Sequence, residues 1–147
     1  MEKRAILVEI SADVFERVQI SGEVKQEEFG ANTFLDSAWF NINKVLKNAK
    51  PPLTFAISGD FHPSYSPEDL ESFINQNKNP YYISFTSPAK VTSIAEGFSG
   101  LSEVELNYLS DKANIEIDDI FRNYFGKLRN AYIYASLNGN AISIIIA

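Results

Sequence analysis

The stretch that decides the fold is IDDIFRNYFGKLRNAYIYASLNGNAISIII, residues 117–146. In its first part, apolar and aromatic side chains recur every three or four residues, which predicts an amphipathic helix of about five turns. These side chains are Ile117, Ile120, Phe121, Tyr124, Phe125, Leu128, Tyr132 and Ala135. Gly139 is placed to end the helix. Ala141 to Ile146 is β-branched and almost continuously apolar, which predicts a strand buried on both faces of a sheet.

Two other segments supply partners for that strand. Arg4 to Ile10 is rich in Ile, Leu and Val, and Tyr81 to Phe85 is aromatic and rich in β-formers. The sequence therefore predicts an α+β protein in which a small, mostly buried sheet of N-terminal, central and C-terminal strands is covered by about five or six helices. The longest helix lies near the C-terminus. No internal repeat or linker interrupts residues 1–147, so we expect one domain.

Further helix starts are marked by capping residues. Ser11, Ser87 followed by Pro88, and Ser102 each precede a short apolar pattern. Ser66 with Pro67 and Asp69 forms a similar signal. Gly97 and Gly100 are placed to end the helix that Ser87 begins, and the helix after Ser102 is expected to end near Leu109. Residues 75–80 are expected to form a loop.

A second apolar stripe predicts a helix that begins near Leu35 and is stopped by Pro51 and Pro52. Its members are Leu35, Ala38, Trp39, Ile42, Val45 and Leu46, with Asp36 near the positive end of the helix. The segment from Leu53 to Ser58 is too short to assign, and either a strand or a helical turn fits it.

Composition excludes several classes of function. The chain of 147 residues has no cysteine and a formal charge of −6. The missing cysteines exclude disulfides and thiolate chemistry and fit a reducing compartment, so we expect a cytoplasmic protein. No apolar run approaches the roughly 20 residues of a membrane span. Duplex nucleic acid is an unfavourable partner for an acidic chain with scattered Lys and Arg, whereas a basic protein partner is compatible with it.

The residues resemble the YfbM-like family, small bacterial proteins of unknown function. The likeness covers most of the chain and rests on these segments: Ala5 to Ile10, Phe34 to Trp39, Pro52 to Gly59, Ser87 to Ala95, Leu101 to Leu106, and Phe125 to Arg129 followed by Tyr132, Ala135, Gly139 and Ala141. Asn43 stands where the family often has a histidine, and residues 60–79 have no clear counterpart. The resemblance implies a fold and supplies no activity.

The most suggestive chemistry lies in the turn Asp60-Phe61-His62-Pro63. A carboxylate beside the only histidine is the minimum for acid–base work. The simpler interpretation, which we favour, is a solvated loop histidine beside a turn-forming aspartate. The spacing of carboxylates and His62 matches no metal motif, and no phosphate-binding or nucleophile motif occurs, so we expect no metal, no cofactor and no catalytic residue.

Acidic residues concentrate between positions 103 and 119. Those expected to form an interaction face are Glu103, Glu105, Glu116, Asp118 and Asp119. They could steer a basic partner onto the surface, or they could merely favour the positive ends of two helices.

The aromatic residues offer further candidates for binding. Trp39, Tyr81 and Tyr134 could line a pocket together with Asp60 and His62, although aromatics at helical spacing more often belong to the core. The leading hypothesis is a non-catalytic binding domain, for instance one that neutralises a basic partner such as a toxin. The alternative is a small hydrolase-like or ligand-binding enzyme that uses His62 and Asp60. A structural subunit of a homodimer is a third possibility, and the oligomeric state is left open.

Overall fold

The computed structural model describes residues 3–67, 69–75 and 80–147. Its strands are β1 (Ala5–Ile10), β2 (Asn32–Asp36), β3 (Tyr82–Thr86) and β4 (Ala141–Ile146). Its helices are α1 (Ala12–Ser21), α2 (Trp39–Leu46), α3 (Leu70–Asn75), α4 (Pro88–Gly100), α5 (Glu103–Ala113) and α6 (Asp119–Leu137). Short 3₁₀ turns occupy Gln26–Glu28 and Leu53–Phe55. The predicted α+β class, with the longest helix near the C-terminus, is confirmed.

The four strands form one antiparallel sheet in the order β2-β1-β4-β3. The strand β4 lies inside the sheet and pairs with β1 and β3, so that Ile144 is opposite Leu7 on one side and Ser84 on the other. Its side chains are buried at every position except Ile145 and none is charged. The apolar run of the sequence is therefore explained by burial on both faces of the sheet.

The two faces of the sheet carry cores of different size. On one face α2, α4 and α6 pack against Leu7, Ile142 and Ile144 in a large cluster. On the other face α1 covers a smaller cluster, made of Val8, Ile10, Phe15, Val18, Phe85 and Ala141. Because successive strand residues point to opposite faces, the alternate residues of β1 divide between the two clusters.

The strand β2 was not predicted. The sequence placed Leu35 and Asp36 in the first turn of a helix, but Asn32–Asp36 is a strand that pairs with β1, with an irregular register between Phe34 and Asp36. The helix begins only at Trp39. Asp36 has a φ of 48°, and the chain changes direction there between the strand and the helix. The prediction was wrong because Leu35 and Trp39 are four residues apart and both are buried in the same core. A strand residue therefore fits the apolar spacing of the helix that follows it.

The capping signals were correct at three of four places. The hydroxyls of Ser11, Ser87 and Ser102 accept the backbone N–H groups three residues on, at 3.2, 3.3 and 3.1 Å. Ser66 is not a cap, since its buried hydroxyl accepts the N–H of Ile83 at 2.8 Å. Asp69 accepts the N–H of Glu71 instead, at 3.1 Å. Position 68 and most of the expected loop, 76–79, lie outside the described residues.

The helix α4 ends at Gly100, one of the two glycines expected to end it, and α5 runs further than the sequence indicated. The helix α4 continues through Gly97, whose missing side chain lets it pack closely on the 3₁₀ turn, because an added Cβ would lie 3.4 Å from Leu53 Cβ. The helix α5 continues to Ala113 and ends at Asn114, which adopts the left-handed conformation. The sequence left Leu53 to Ser58 undecided between a strand and a helical turn. In the structure, Leu53–Phe55 forms a 3₁₀ turn.

A buried tyrosine ties α6 to the segment that follows this turn. Tyr132 is fully buried, and its hydroxyl donates to the carbonyl of Ala56 at 2.6 Å and lies 3.4 Å from the hydroxyl of Thr86. Burial raises the pKa of the Tyr132 phenol, because the charged phenolate would be desolvated. The hydroxyl thus stabilises the fold only while it is protonated.

We predict that Tyr132→Phe lowers the free energy of unfolding by about 1–3 kcal/mol, because the carbonyl of Ala56 loses its buried donor. The unfolded state releases the phenol proton near pH 10 and the folded state does not, so wild-type stability falls as pH rises above that value. Urea unfolding at pH 7 and 10.5 measures both effects. The control is Tyr134→Phe, because Tyr134 is 62% exposed. Equal losses in the two variants would contradict the prediction.

Candidate functional site: an acidic cleft

A cleft with a volume of about 690 Å³ lies where β2, α2, α3 and α6 meet. Its charged lining residues are Lys3, Asp36, Glu116 and Asp118, so carboxylates outnumber cations three to one. Its other walls include Trp39, Phe40, Phe73, Ile74, Ile120, Phe121 and Tyr124. We call this feature the acidic cleft.

Asp36 lies in one wall of the acidic cleft and has an unusual backbone conformation. It follows the last core position of β2 and has a φ of 48°, a left-handed conformation that Asp tolerates better than most residues. Its Oδ2 accepts the hydroxyl of Tyr124 from α6 at 2.6 Å. This hydrogen bond, followed by burial and the carboxylate charge, raises the pKa of Tyr124.

Trp39 forms the inner end of the cleft at the start of α2. The residue is only 3% exposed, and its Nε1–H donates to the carbonyl of Lys3 at 2.9 Å. Its ring meets Phe40 edge to face at 5.6 Å between centroids. The indole therefore anchors the start of β1 while its edge contributes to the cleft wall.

Glu116 and Asp118 enter the cleft from the segment between α5 and α6. Both are exposed. Asp118 is the N-cap of α6, and its Oδ1 accepts the N–H of Phe121 at 2.8 Å. The partial positive charge at this helix end favours a carboxylate at the N-cap position.

The cation in the lining is already engaged. Lys3 Nζ donates to the carbonyl of Pro80 at 3.3 Å and lies 4.9 Å from the centre of the Phe73 ring. The carboxylates of the cleft are thus not neutralised by Lys3 at hydrogen-bonding range. Within residues 3–67, 69–75 and 80–147, no group of three His, Asp or Glu side chains is arranged to hold a metal ion. The cleft is suited to an organic cation with an apolar stem, such as a Lys or Arg side chain.

The acidic face predicted from the sequence is divided between different surroundings. Glu116 and Asp118 line the acidic cleft, and Asp119 is exposed in the first turn of α6. Glu103 forms an ion pair with Arg122, which lowers the pKa of the carboxyl. Glu105 accepts a hydrogen bond from the hydroxyl of Ser102 at 3.3 Å. The structure therefore gives Glu103 and Glu105 local structural partners and leaves Glu116 without one in the described residues.

Asp60 and His62 are neighbours in sequence but bind different partners. The carboxylate of Asp60 accepts both the N–H and the hydroxyl of Ser87, each at 3.0 Å, and so braces the start of α4. His62 Nε2 lies 2.6 Å from the hydroxyl of Tyr82 and 3.2 Å from the carbonyl of Ser58. Neither Asp60 nor His62 lines the acidic cleft.

A glycine makes the close approach beneath His62 possible. Gly59 has a φ of 76°, and an added Cβ would lie 2.5 Å from Ser84 Oγ on β3. Any larger residue would push the 59–62 segment off the sheet. The histidine is therefore held half-buried against Tyr82 by local packing.

The two remaining aromatic candidates, Tyr81 and Tyr134, do not line the acidic cleft. Tyr81 is 38% exposed and precedes β3 at the sheet edge. Tyr134 is 62% exposed on α6 and lines a second cleft of about 420 Å³ beside β2. Of the five predicted binding residues, Trp39 alone lines the acidic cleft.

Sequence reasoning missed Asp36 and Tyr124, whose hydrogen bond spans 88 positions of the chain. Tyr124 belongs to the apolar stripe of α6 and was assigned to the core. The available signal was Asp36 itself, since an Asp between an alternating apolar segment and a helix often marks a left-handed turn.

Comparison with known proteins identifies the architecture. No family model and no curated protein matches the chain. A solved structure does match, the crystal structure of YfbM from Escherichia coli, described as a protein of unknown function. The match has a TM-score of 0.65 and covers 98% of this chain and 99% of that chain at 13% sequence identity.

The chain has the YfbM-like fold. The resemblance noted in the sequence is thereby confirmed as a likeness of fold, which is all that 13% identity shows. The YfbM protein is described as a protein of unknown function. The likeness of fold therefore gives no information about the activity of this chain. None of the helices in the described ranges combines the length and apolarity that a bilayer crossing requires.

We predict that Asp36→Asn lowers the pKa of Tyr124, because the amide accepts a weaker hydrogen bond from the phenol and carries no charge that opposes phenolate formation. Asn also tolerates the left-handed backbone, so the fold is kept. NMR titration of ring-labelled tyrosine measures the shift, and Asp119→Asn is the control. An unchanged Tyr124 pKa in Asp36→Asn would show that Asp36 does not hold this phenol in solution.

Proposed function

We propose that this chain is a non-catalytic binding domain that takes a basic segment of a protein partner into the acidic cleft. The observation that carries the proposal is the convergence of Asp36, Glu116 and Asp118 from separate parts of the chain on one aromatic-walled cleft. Polar groups that meet in the largest concave feature are the usual mark of a binding site.

The chemistry of the walls favours a Lys or Arg side chain with apolar neighbours. An aliphatic stem can lie against Trp39 and Phe40 while its charged end reaches the carboxylates. Ile120, which is 66% exposed, offers an apolar contact at the rim. The net charge of −6 attracts such a partner over longer distances and speeds the encounter.

A cytoplasmic location and the neutralisation of a basic toxin belong to the same proposal. The absence of cysteine agrees with a reducing compartment. An acidic surface agrees with a basic protein and disfavours nucleic acid. The acidic cleft supports a basic protein as the class of partner.

The enzyme alternative, with His62 and Asp60 as catalytic groups, stays a prediction of the sequence. Asp60 is used to hold α4 and His62 is paired with Tyr82, so the two side chains do not meet on one substrate position. A general base needs direct reach to a substrate proton, and this geometry does not favour it.

The proposal predicts that a hexa-arginine peptide binds to the cleft with charge-dependent affinity. The variant Asp36→Asn, Glu116→Gln, Asp118→Asn keeps the left-handed turn and the helix cap while it removes three charges. We expect binding to weaken about tenfold or more, since each exposed charge contact contributes up to about 1 kcal/mol. Isothermal titration at low salt measures the affinity, which falls as ionic strength rises.

The matched control removes the same number of charges elsewhere: Glu103→Gln, Glu105→Gln, Asp119→Asn. We expect this variant to bind the peptide within about twofold of the wild type, allowing for its lower overall charge. Equal weakening in the two variants would mean that the peptide senses only net charge, and the acidic cleft would not be the site.

A further inference from the structure

A charged residue lies in the interior of the sheet. The strands β1 and β4 each have a neighbour on both edges, and Glu9 is the only charged side chain in either strand. Glu9 shares a face of β1 with Leu7, which belongs to the large core beneath α6. Glutamate is uncommon in such a position, because its charge loses hydration and its side chain adds little to apolar packing. A local departure of this kind from the pattern of a fold often marks a functional site.

The carboxylate of Glu9 is held in place by two amides that follow α6. Asn138 Nδ2 and Asn140 Nδ2 donate to the same oxygen of Glu9, Oε2, at 3.0 and 2.6 Å. Among the residues that the structure describes, none donates a hydrogen bond to the second oxygen, Oε1. A carboxylate can accept about four hydrogen bonds. Glu9 is therefore oriented by the protein and still has an oxygen with which to bind a ligand.

Glu9 lines the second cleft, the one of about 420 Å³ between α6 and the strands β1 and β2. Leu7 and Ile142 form an apolar floor, and Ala131 and the exposed ring of Tyr134 form the wall on the helix side. A volume of this size lies within the range of small-molecule sites, roughly 300–1,000 Å³. Such sites combine apolar walls with a few placed polar groups, and this cleft has that composition.

The other charged residue of the second cleft, Lys127, lies two helical turns from Tyr134, or about 10 Å along α6. Its Nζ lies 5.0 Å from the centre of the Tyr124 ring, and Tyr124 does not line this cleft. The N–H of Asn138 donates to the carbonyl of Tyr134 at 3.1 Å, so Asn138 follows Tyr134 by one turn. The Tyr134 ring and the carboxylate that Asn138 holds therefore lie toward the same end of the cleft.

We propose that the second cleft binds a small molecule that has a primary ammonium group and an apolar body. The ammonium group pairs with Glu9 Oε1, and the ring of Tyr134 adds the attraction of its electron-rich face for a cation. The apolar body lies over Leu7 and Ile142. The two clefts share no lining residue, so this site does not rest on the function proposed for the acidic cleft.

The test is an NMR titration with phenethylamine, with phenethyl alcohol as the uncharged counterpart of the same shape. The side-chain amides of Asn138 and Asn140 report binding directly, because they hold the carboxylate. We expect saturable shifts with a Kd of about 10 mM or tighter, as befits a ligand of this size. Phenethyl alcohol should bind about tenfold more weakly, because it forms no ion pair.

Glu9→Gln removes the charge and keeps an oxygen that can accept from the two asparagines. We expect it to weaken the binding of phenethylamine about tenfold. Tyr134→Leu keeps an apolar wall, removes the ring at an exposed position and should weaken binding roughly threefold. The matched control, Asp36→Asn, removes one charge from the acidic cleft and should leave the affinity within about twofold of the wild type.

The absence of saturable shifts overturns the proposal, and so does equal binding of phenethylamine and phenethyl alcohol. Tyr134→Leu keeps the test decisive where Glu9→Gln does not fold. An affinity that both variants leave unchanged shows that the amine binds elsewhere. A loss of affinity in Asp36→Asn alone places the amine in the acidic cleft, which overturns the present proposal and leaves the proposed function standing.

Discussion

The structure depends on the burial of β4, a strand that has neighbours on both edges and apolar groups on both faces. A strand in that position cannot lie at the surface, since its isoleucines would be hydrated and its backbone groups unpaired. The sheet order, with β1 and β3 on either side, meets the requirement for pairing. The helix α6 covers one face of the sheet and the helix α1 covers the other.

Because α6 lies over β4, its ends and flanks define the candidate functional surfaces. Its N-terminus brings Asp118 and Tyr124 to the turn that ends β2, and the acidic cleft forms there. Its middle runs beside the open edge of β2 and forms the second cleft. Both clefts thus result from the packing of α6, the longest helix, on β4.

Much of this architecture could be predicted from the residues because it is local. Short stretches of sequence predict the strand β4, the apolar stripe of α6 and the caps at Ser87 and Ser102. The structure has all of them at the expected positions. The strand β2 was missed because five residues that alternate around Phe34 give a weaker signal than the helical spacing of Leu35, Ala38 and Trp39. The acidic cleft was only partly visible, since Asp36 and Tyr124 meet through the tertiary fold and no spacing in the sequence relates them.

The most direct test of binding in the acidic cleft is paramagnetic relaxation enhancement from a spin-labelled hexa-arginine peptide. If the acidic cleft is the binding surface, the indole N–H of Trp39 and the amides of Glu116 and Ile120 broaden first and most strongly. Broadening centred on Glu103 to Leu106, or spread evenly over the acidic surface, would contradict binding in the acidic cleft.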